Sequence, residues 1–290
     1  MRLLLVHGIA QGGKKASELQ DTWTETLQKG YKAAGIFYPS SLAVDFPYYG
    51  DALDARVARS KLPMPKGITP KGAAAVSPYE EFLRSSLREM QVNAGISDAE
   101  VAMEAGPIPA TEKGIQNWRL TQAIARLIDR RFTDFESHTI ENFLRDVYLY
   151  ISDHNATREI NDFVIAKLTD EPTVVVAHSL GTVVAYKVLL EQSNRVKLRR
   201  FITVGSPLGI STISSQLGVL RYPSADLLWY NAYDKRDIVA LNPLEDPYFK
   251  TDPAITNYNR VCNETDNRHG IIGYLNDATV ARSIAEALAS

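Results

Sequence analysis

Short unbroken apolar runs alternate with amphipathic stretches along most of the chain. The first run, Arg2-Leu-Leu-Leu-Val6, stops at His7-Gly8-Ile9 and is followed by Gly12-Gly13. This reads as a buried parallel strand that leads into a tight loop. Helical periodicity covers about 17–34, and a second strand is expected over 35–46, closed by Pro47-Tyr-Tyr-Gly50. The clearest strand is Thr173-Val-Val-Val-Ala177, bounded by Pro172 and by His178-Ser179-Leu180-Gly181. A helix follows from Leu180 to about Gln192. Further strands are expected at 201–204, 226–232 and 258–262, and a closing helix at 277–288. Strands that alternate with helices imply an α/β fold: a mostly parallel, doubly wound sheet of about six strands with helices on both faces.

The stretch 51–138 breaks this rhythm. Leu62-Pro-Met-Pro-Lys-Gly-Ile-Thr-Pro-Lys-Gly72 is rich in Pro and Gly and reads as loop. Ser77-Pro78 marks a capped helix start running to about Asn93. A second helix is expected over 114–132, with Leu120, Ile124, Leu127 and Ile128 on one face. No strand separates these helices. The expected organisation is therefore a core of 1–50 and 139–290, with 51–138 inserted as a helical lid or cap. Helical periodicity resumes over 140–151 and 160–168.

Lys+Arg number 32 and Asp+Glu 34, for a net charge of −2. That balance argues against nucleic acid as a partner, which calls for a basic face. Arg195, Lys197, Arg199 and Arg200 read as a solvated face. One cysteine, Cys262, forms no intrachain disulfide and no Cys/His zinc cluster. No apolar run approaches the roughly 20 residues needed to cross a bilayer. Without a signal-peptide pattern at the N-terminus, the expected compartment is the cytoplasm.

Chemistry concentrates in Ala177-His178-Ser179-Leu180-Gly181, where a buried strand turns directly into a helix. A serine on such a turn projects its hydroxyl out of the sheet. The helix behind it aims free N–H groups at the reaction site. Small residues stand at both flanks, as a sharply folded backbone requires. The segment resembles the nucleophile elbow of the α/β-hydrolase superfamily, G-x-S-x-G, with alanine in place of the first glycine. The resemblance covers roughly 1–50 and 139–290, and the sheet is expected to lack the strands that often precede the His-Gly strand in that superfamily.

The resemblance implies a chain order of Ser, then Asp or Glu, then His. His269, in Asp266-Asn-Arg-His269-Gly, is the one histidine after Ser179. For the acid, Asp237-Ile-Val fits the superfamily pattern better than Asp234-Lys-Arg, so Asp237 is the first choice and Asp234 the runner-up. An oxyanion hole would take the backbone N–H of Leu180 and, from the His7-Gly8-Ile9 loop, that of Ile9. The spacing of Gly8, Gly12 and Gly13 does not match a phosphate-binding loop. Gln11, His178, Ser206 and Leu208 are placed around the substrate pocket. His7 is expected to support the oxyanion loop. His138 and His154 read as surface residues, and Trp118, Trp229 and Tyr230 as core. Ser206 is a poor alternative nucleophile because Pro207 prevents the same turn.

The expected activity is that of a serine hydrolase cleaving a carboxylic ester, esterase- or lipase-like, through an acyl-enzyme. No metal or organic cofactor is implied. The expected partner is a small-molecule or lipid ester; nothing in the sequence supports contact with a membrane surface. Acyl transfer and thioester cleavage use the same residues. A non-catalytic binding or signalling module on the same fold is the alternative of a different class.

Overall fold

The computed structural model describes residues 1–60, 62, 76–107, 113–132, 139–224, 227–266 and 268–289. Its centre is a six-stranded sheet of order β2-β1-β3-β4-β5-β6, in which every neighbouring pair is parallel. The strands are β1 (Arg2–Val6), β2 (Ala43–Asp45), β3 (Thr173–His178), β4 (Leu198–Val204), β5 (Leu228–Ala232) and β6 (Thr256–Tyr258). Alternation along each strand divides the core in two. Leu3, Leu5, Val174, Val176, Ile202, Val204 and Ala232 face α1 (Ala16–Ala33), α10 (Ile271–Leu275) and α11 (Ala278–Ala289). Leu4, Val6, Val175, Ala177, Phe201 and Trp229 belong to the larger cluster on the other face. β3 is buried at every position, as expected of a central strand covered on both sides.

The larger cluster takes in α2 (Gly50–Arg59), α3 (Pro78–Asn93), α4 (Asp98–Ala105), α5 (Lys113–Phe132), α6 (Ile140–Ser152), α7 (His154–Ile165) and α8 (Leu180–Glu191). A 3-10 turn at Pro207–Gly209 and the short α9 (Ser211–Ser214) close the same side after β4. The helices of 51–138 thus share an apolar core with the sheet. Ser77 caps α3 through a reciprocal pair with Glu80, and Ser97 caps α4 through the same pair with Glu100. Thr139 and Asp153 cap α6 and α7.

β1 is followed by β2 on one side and, after α2 to α7, by β3 on the other. The strand order therefore reverses between β1 and β3. In open parallel sheets a crevice forms at that point, beyond the carboxyl ends of the strands. His7-Gly8 and Ser179 both lie there.

Several element boundaries differ from the expectation. The second strand shrinks from 35–46 to Ala43–Asp45, because Pro39 cannot donate to the ladder and the chain turns at residues 40 and 41. The last strand is Thr256–Tyr258 rather than 258–262. Beyond it the chain leaves the sheet so that the Asn263 N–H can reach Asp234 (2.7 Å). Helices α2, α4 and α10 were not anticipated. The loop expected at 62–72 lies, apart from Leu62, outside the described residues, and so does His138. His154 opens α7 on the surface.

Trp229 is core, as expected, at 1% exposure. Its ring lies among Tyr186, Phe201, Tyr222 and Phe249, and its indole N–H donates to Thr203 Oγ1 (3.1 Å). Trp229→Ala is expected to lower stability by about 3–5 kcal/mol, through the lost burial and the cavity it leaves. Chemical denaturation checks this, and a loss below about 1 kcal/mol contradicts the packing described.

Candidate active site

The site is built on the junction of β3 and α8. Ser179 sits between them with φ 56° and ψ −133°, a left-handed conformation that costs a non-glycine residue on the order of 1–3 kcal/mol. The surroundings hold it there. Its N–H donates to the Val204 oxygen (3.2 Å), and its carbonyl accepts from the Thr182 N–H (2.9 Å) and hydroxyl (2.8 Å). The end of β1 presses against the same turn. A Cβ on Gly181 would stand 2.3 Å from the His7 oxygen, and one on Gly8 would stand 2.6 Å from Cβ of Ser179. Neither position has room for a side chain.

His269 comes from the loop before α10, and Asp237 from the loop after β5. His269 Nδ1 meets Asp237 Oδ2 at 2.7 Å, and Nε2 meets Ser179 Oγ at 2.9 Å. A carboxylate only accepts, so Nδ1 carries the ring proton and Nε2 accepts from the serine hydroxyl. All three side chains are buried. Asp237 Oδ1 accepts the Val239 N–H (2.9 Å), and Oδ2 also accepts the Tyr274 hydroxyl (2.6 Å).

Of the two candidate acids, Asp237 is the one brought to His269. Asp234 faces the other way, accepting from the Arg236 backbone and guanidinium and from the Asn263 N–H. Burial works against its charge, but these donors hold its carboxyl below the ordinary range.

The loop after β1 runs beside the serine. Gln11 braces it by donating to the Ile9 oxygen (2.8 Å), and Tyr48 donates to the Gln11 oxygen (2.8 Å). Leu180 opens α8, so its N–H belongs to the orphan donors of a helix N-terminus. His178 is turned away from open space. Its Nε2–H donates to the His269 backbone oxygen (2.7 Å), and its ring lies 4.7 Å from that of His269. Burial, then the neighbouring His269, keeps it neutral. Ser206 shares hydrogen bonds with Thr182 Oγ1 (2.8 Å) and the Leu208 N–H (3.3 Å), and both Ser206 and Leu208 are buried. Phe143 of α6 sets its ring edge-on to His269 at 6.5 Å. Tyr274, Val239 and Asn263 escaped the sequence reading, since no local pattern marks a residue whose role depends on a partner far along the chain.

Among the described residues, no group of three or more His, Cys, Asp or Glu side chains could hold a metal ion. No helix among them is long and apolar enough to cross a membrane. No family model and no curated protein matches the chain.

His7 underlies the loop. Its Nδ1–H donates to the Gly8 oxygen (2.8 Å), while Nε2 accepts the Tyr49 N–H (3.1 Å). Its ring stacks on Tyr49 at 4.0 Å, and burial pushes its pKa down to about 4. An unfolded histidine titrates near 6.5, so between these values the unfolded chain binds more protons. The stability His7 contributes is complete above pH 6.5 and is lost as pH falls toward 4, by about 3 kcal/mol in all. Urea unfolding at pH 7 and at pH 4.5 should show this loss, and His7→Asn should reduce it, the remainder coming from the buried, neutral His178. An equally steep dependence in the variant contradicts the assignment.

Proposed function

We propose that this protein is a serine hydrolase of the α/β-hydrolase type, acting on a carboxylic ester. The observation that carries the reading is the continuous chain Ser179 Oγ to His269 Nε2 (2.9 Å) and His269 Nδ1 to Asp237 Oδ2 (2.7 Å), mounted at the reversal point of a parallel sheet. The turn geometry of Ser179 and the Ser, Asp, His chain order support it further.

In this mechanism Ser179 Oγ attacks the acyl carbon and His269 Nε2 takes the hydroxyl proton. Asp237 holds the imidazole with Nδ1 protonated and balances the charge of the imidazolium. The carbonyl oxygen becomes an oxyanion, to which the N–H groups of Ile9 and Leu180 donate, each worth on the order of 3 kcal/mol. The intermediate collapses, the carbon–oxygen bond to the leaving alcohol breaks, and His269 returns its proton to that oxygen. Water deprotonated by His269 then attacks the acyl-enzyme, releasing the acid and restoring Ser179.

Apolar side chains pack around the three residues. Phe143, Leu180, Leu208, Ile238 and Val239 belong to one buried apolar cluster, with Ile9 packed against it.

An active-site fluorophosphonate is expected to label the native protein, and Ser179→Ala is expected to abolish labelling. His269→Gln and Asp237→Asn should each slow it by about a thousandfold or more, whereas Asp234→Asn should slow it less than about tenfold. Labelling that persists in Ser179→Ala overturns the proposal. A series of acyl esters of graded chain length then reports the acyl preference, and added alcohols separate hydrolysis from transfer.

A further inference from the structure

One more polar side chain is closed into the same buried hydrogen-bond chain. Tyr274 of α10 is 0% exposed, and its hydroxyl donates to Asp237 Oδ2 at 2.6 Å. That is the oxygen that also faces His269 Nδ1. The Tyr274 oxygen itself accepts the Asp234 N–H (3.3 Å), which leaves the hydroxyl hydrogen directed at the carboxylate. Gly205, at the end of β4, makes room for the arrangement: a Cβ there would stand 3.0 Å from the Tyr274 ring and 3.2 Å from the His269 ring.

We infer that Tyr274 is a positioning residue for the proposed reaction, fixing the Asp237 carboxylate and moderating its hold on the His269 imidazolium. The inference rests on the reading of Ser179, His269 and Asp237 given above. A donor on a carboxylate oxygen stabilises the ionised form and disperses its charge. The imidazolium is then held less tightly and gives its proton to the leaving group more readily. Burial, and then the nearby Asp237, drive the Tyr274 phenol well above its ordinary pKa, so it stays a donor throughout the working range.

Among the described residues, the other titratable groups near this chain are paired or neutral. Asp234 is paired with Arg236. His178 is neutral, its ring 6.0 Å from Tyr274 and 4.7 Å from His269. His7 is neutral as well and acts on His178 rather than on the carboxylate. From α6 the neighbour of His269 is the uncharged Phe143.

The experiment follows the rate of fluorophosphonate labelling at Ser179 across pH. Tyr274→Phe keeps the ring and removes the hydroxyl. Its acidic limb is expected to move to higher pH by about 0.5–1 unit, because the carboxylate then holds the imidazolium more tightly. Difluorotyrosine at position 274 is a more acidic, stronger donor and should move the limb the opposite way. Thermal unfolding establishes that each variant is folded; should Tyr274→Phe fail to fold, the fluorinated protein decides alone. A limb that stays within about 0.2 unit of the native one in the folded variants overturns this inference and leaves the hydrolase reading standing. A native protein that does not label at Ser179 overturns both.

Discussion

The site depends on how closely β1 approaches the first turn of α8. A side chain at Gly8 would collide with Ser179, and one at Gly181 would collide with the carbonyls that end β1. With both absent, the loop after β1 lies directly against the serine. Contact at this distance sets Gly8 and the N-terminus of α8 beside a single hydroxyl. It also over-determines the backbone of Ser179, whose positive φ survives because Val204 and Thr182 hold it from both ends. Larger residues at either glycine would push the two loops apart and release the strain that aims the hydroxyl.

The carboxylates show how environment assigns roles. Asp234 and Asp237 stand in the same turn, joined by a backbone hydrogen bond from the Asp237 N–H to the Asp234 oxygen (3.0 Å). Asp234 is saturated by Arg236 and Asn263, and so it braces the chain where it leaves β6. Among the described residues, Asp237 meets no guanidinium. Its donors are a backbone amide, a phenol and an imidazole, all neutral, so its charge remains available to a positive ring beside it. The histidines divide in the same way. His7 and His178 are buried and neutral and serve as hydrogen-bonding struts, while His269 has one nitrogen on a carboxylate and the other on a hydroxyl.

Much of this was legible in the sequence, for identifiable reasons. The β3 run and the turn at Ser179 are local signals, and the alternation of strands with helices gave the parallel sheet. Ser179, His269 and the order of the acid between them follow from motif and position. The choice of Asp237 over Asp234 was weaker, since both lie in one polar turn and only Arg236 and Asn263 separate them. Helix α4 was overlooked although Ser97-Asp-Ala-Glu100 spells a capping box, because the helix is 8 residues long and its periodicity is faint. The second strand is shorter than the apolar pattern in 35–46 suggests, because Pro39 cannot join the ladder. Tyr274 could not be read at all: its meaning depends on Asp237, which only the fold brings near.

The helices beyond the sheet are fastened to the site by polar as well as apolar contacts. Glu89 of α3 accepts the Ser211 N–H with both oxygens (3.0 Å each) and the Asn242 side-chain amide (2.8 Å). Asn242 also donates to the Gly209 oxygen (2.9 Å) and accepts from Asn93 (2.7 Å). These bonds join α3 to the loop after β4 and to the loop that carries Asp237. Swinging α3 outward would strip Glu89 and Asn242 of their partners and open the apolar cluster that holds Phe82, Leu83 and Leu87 together with Phe143 and Leu180. Asn242 is buried, and its amide left without partners there would cost on the order of 1–3 kcal/mol. Helix α3 is therefore tied to the loop after β4 and to the loop that carries Asn242. A change in α3 at Glu89 or Asn93 therefore bears on the loop that carries both Asn242 and Asp237.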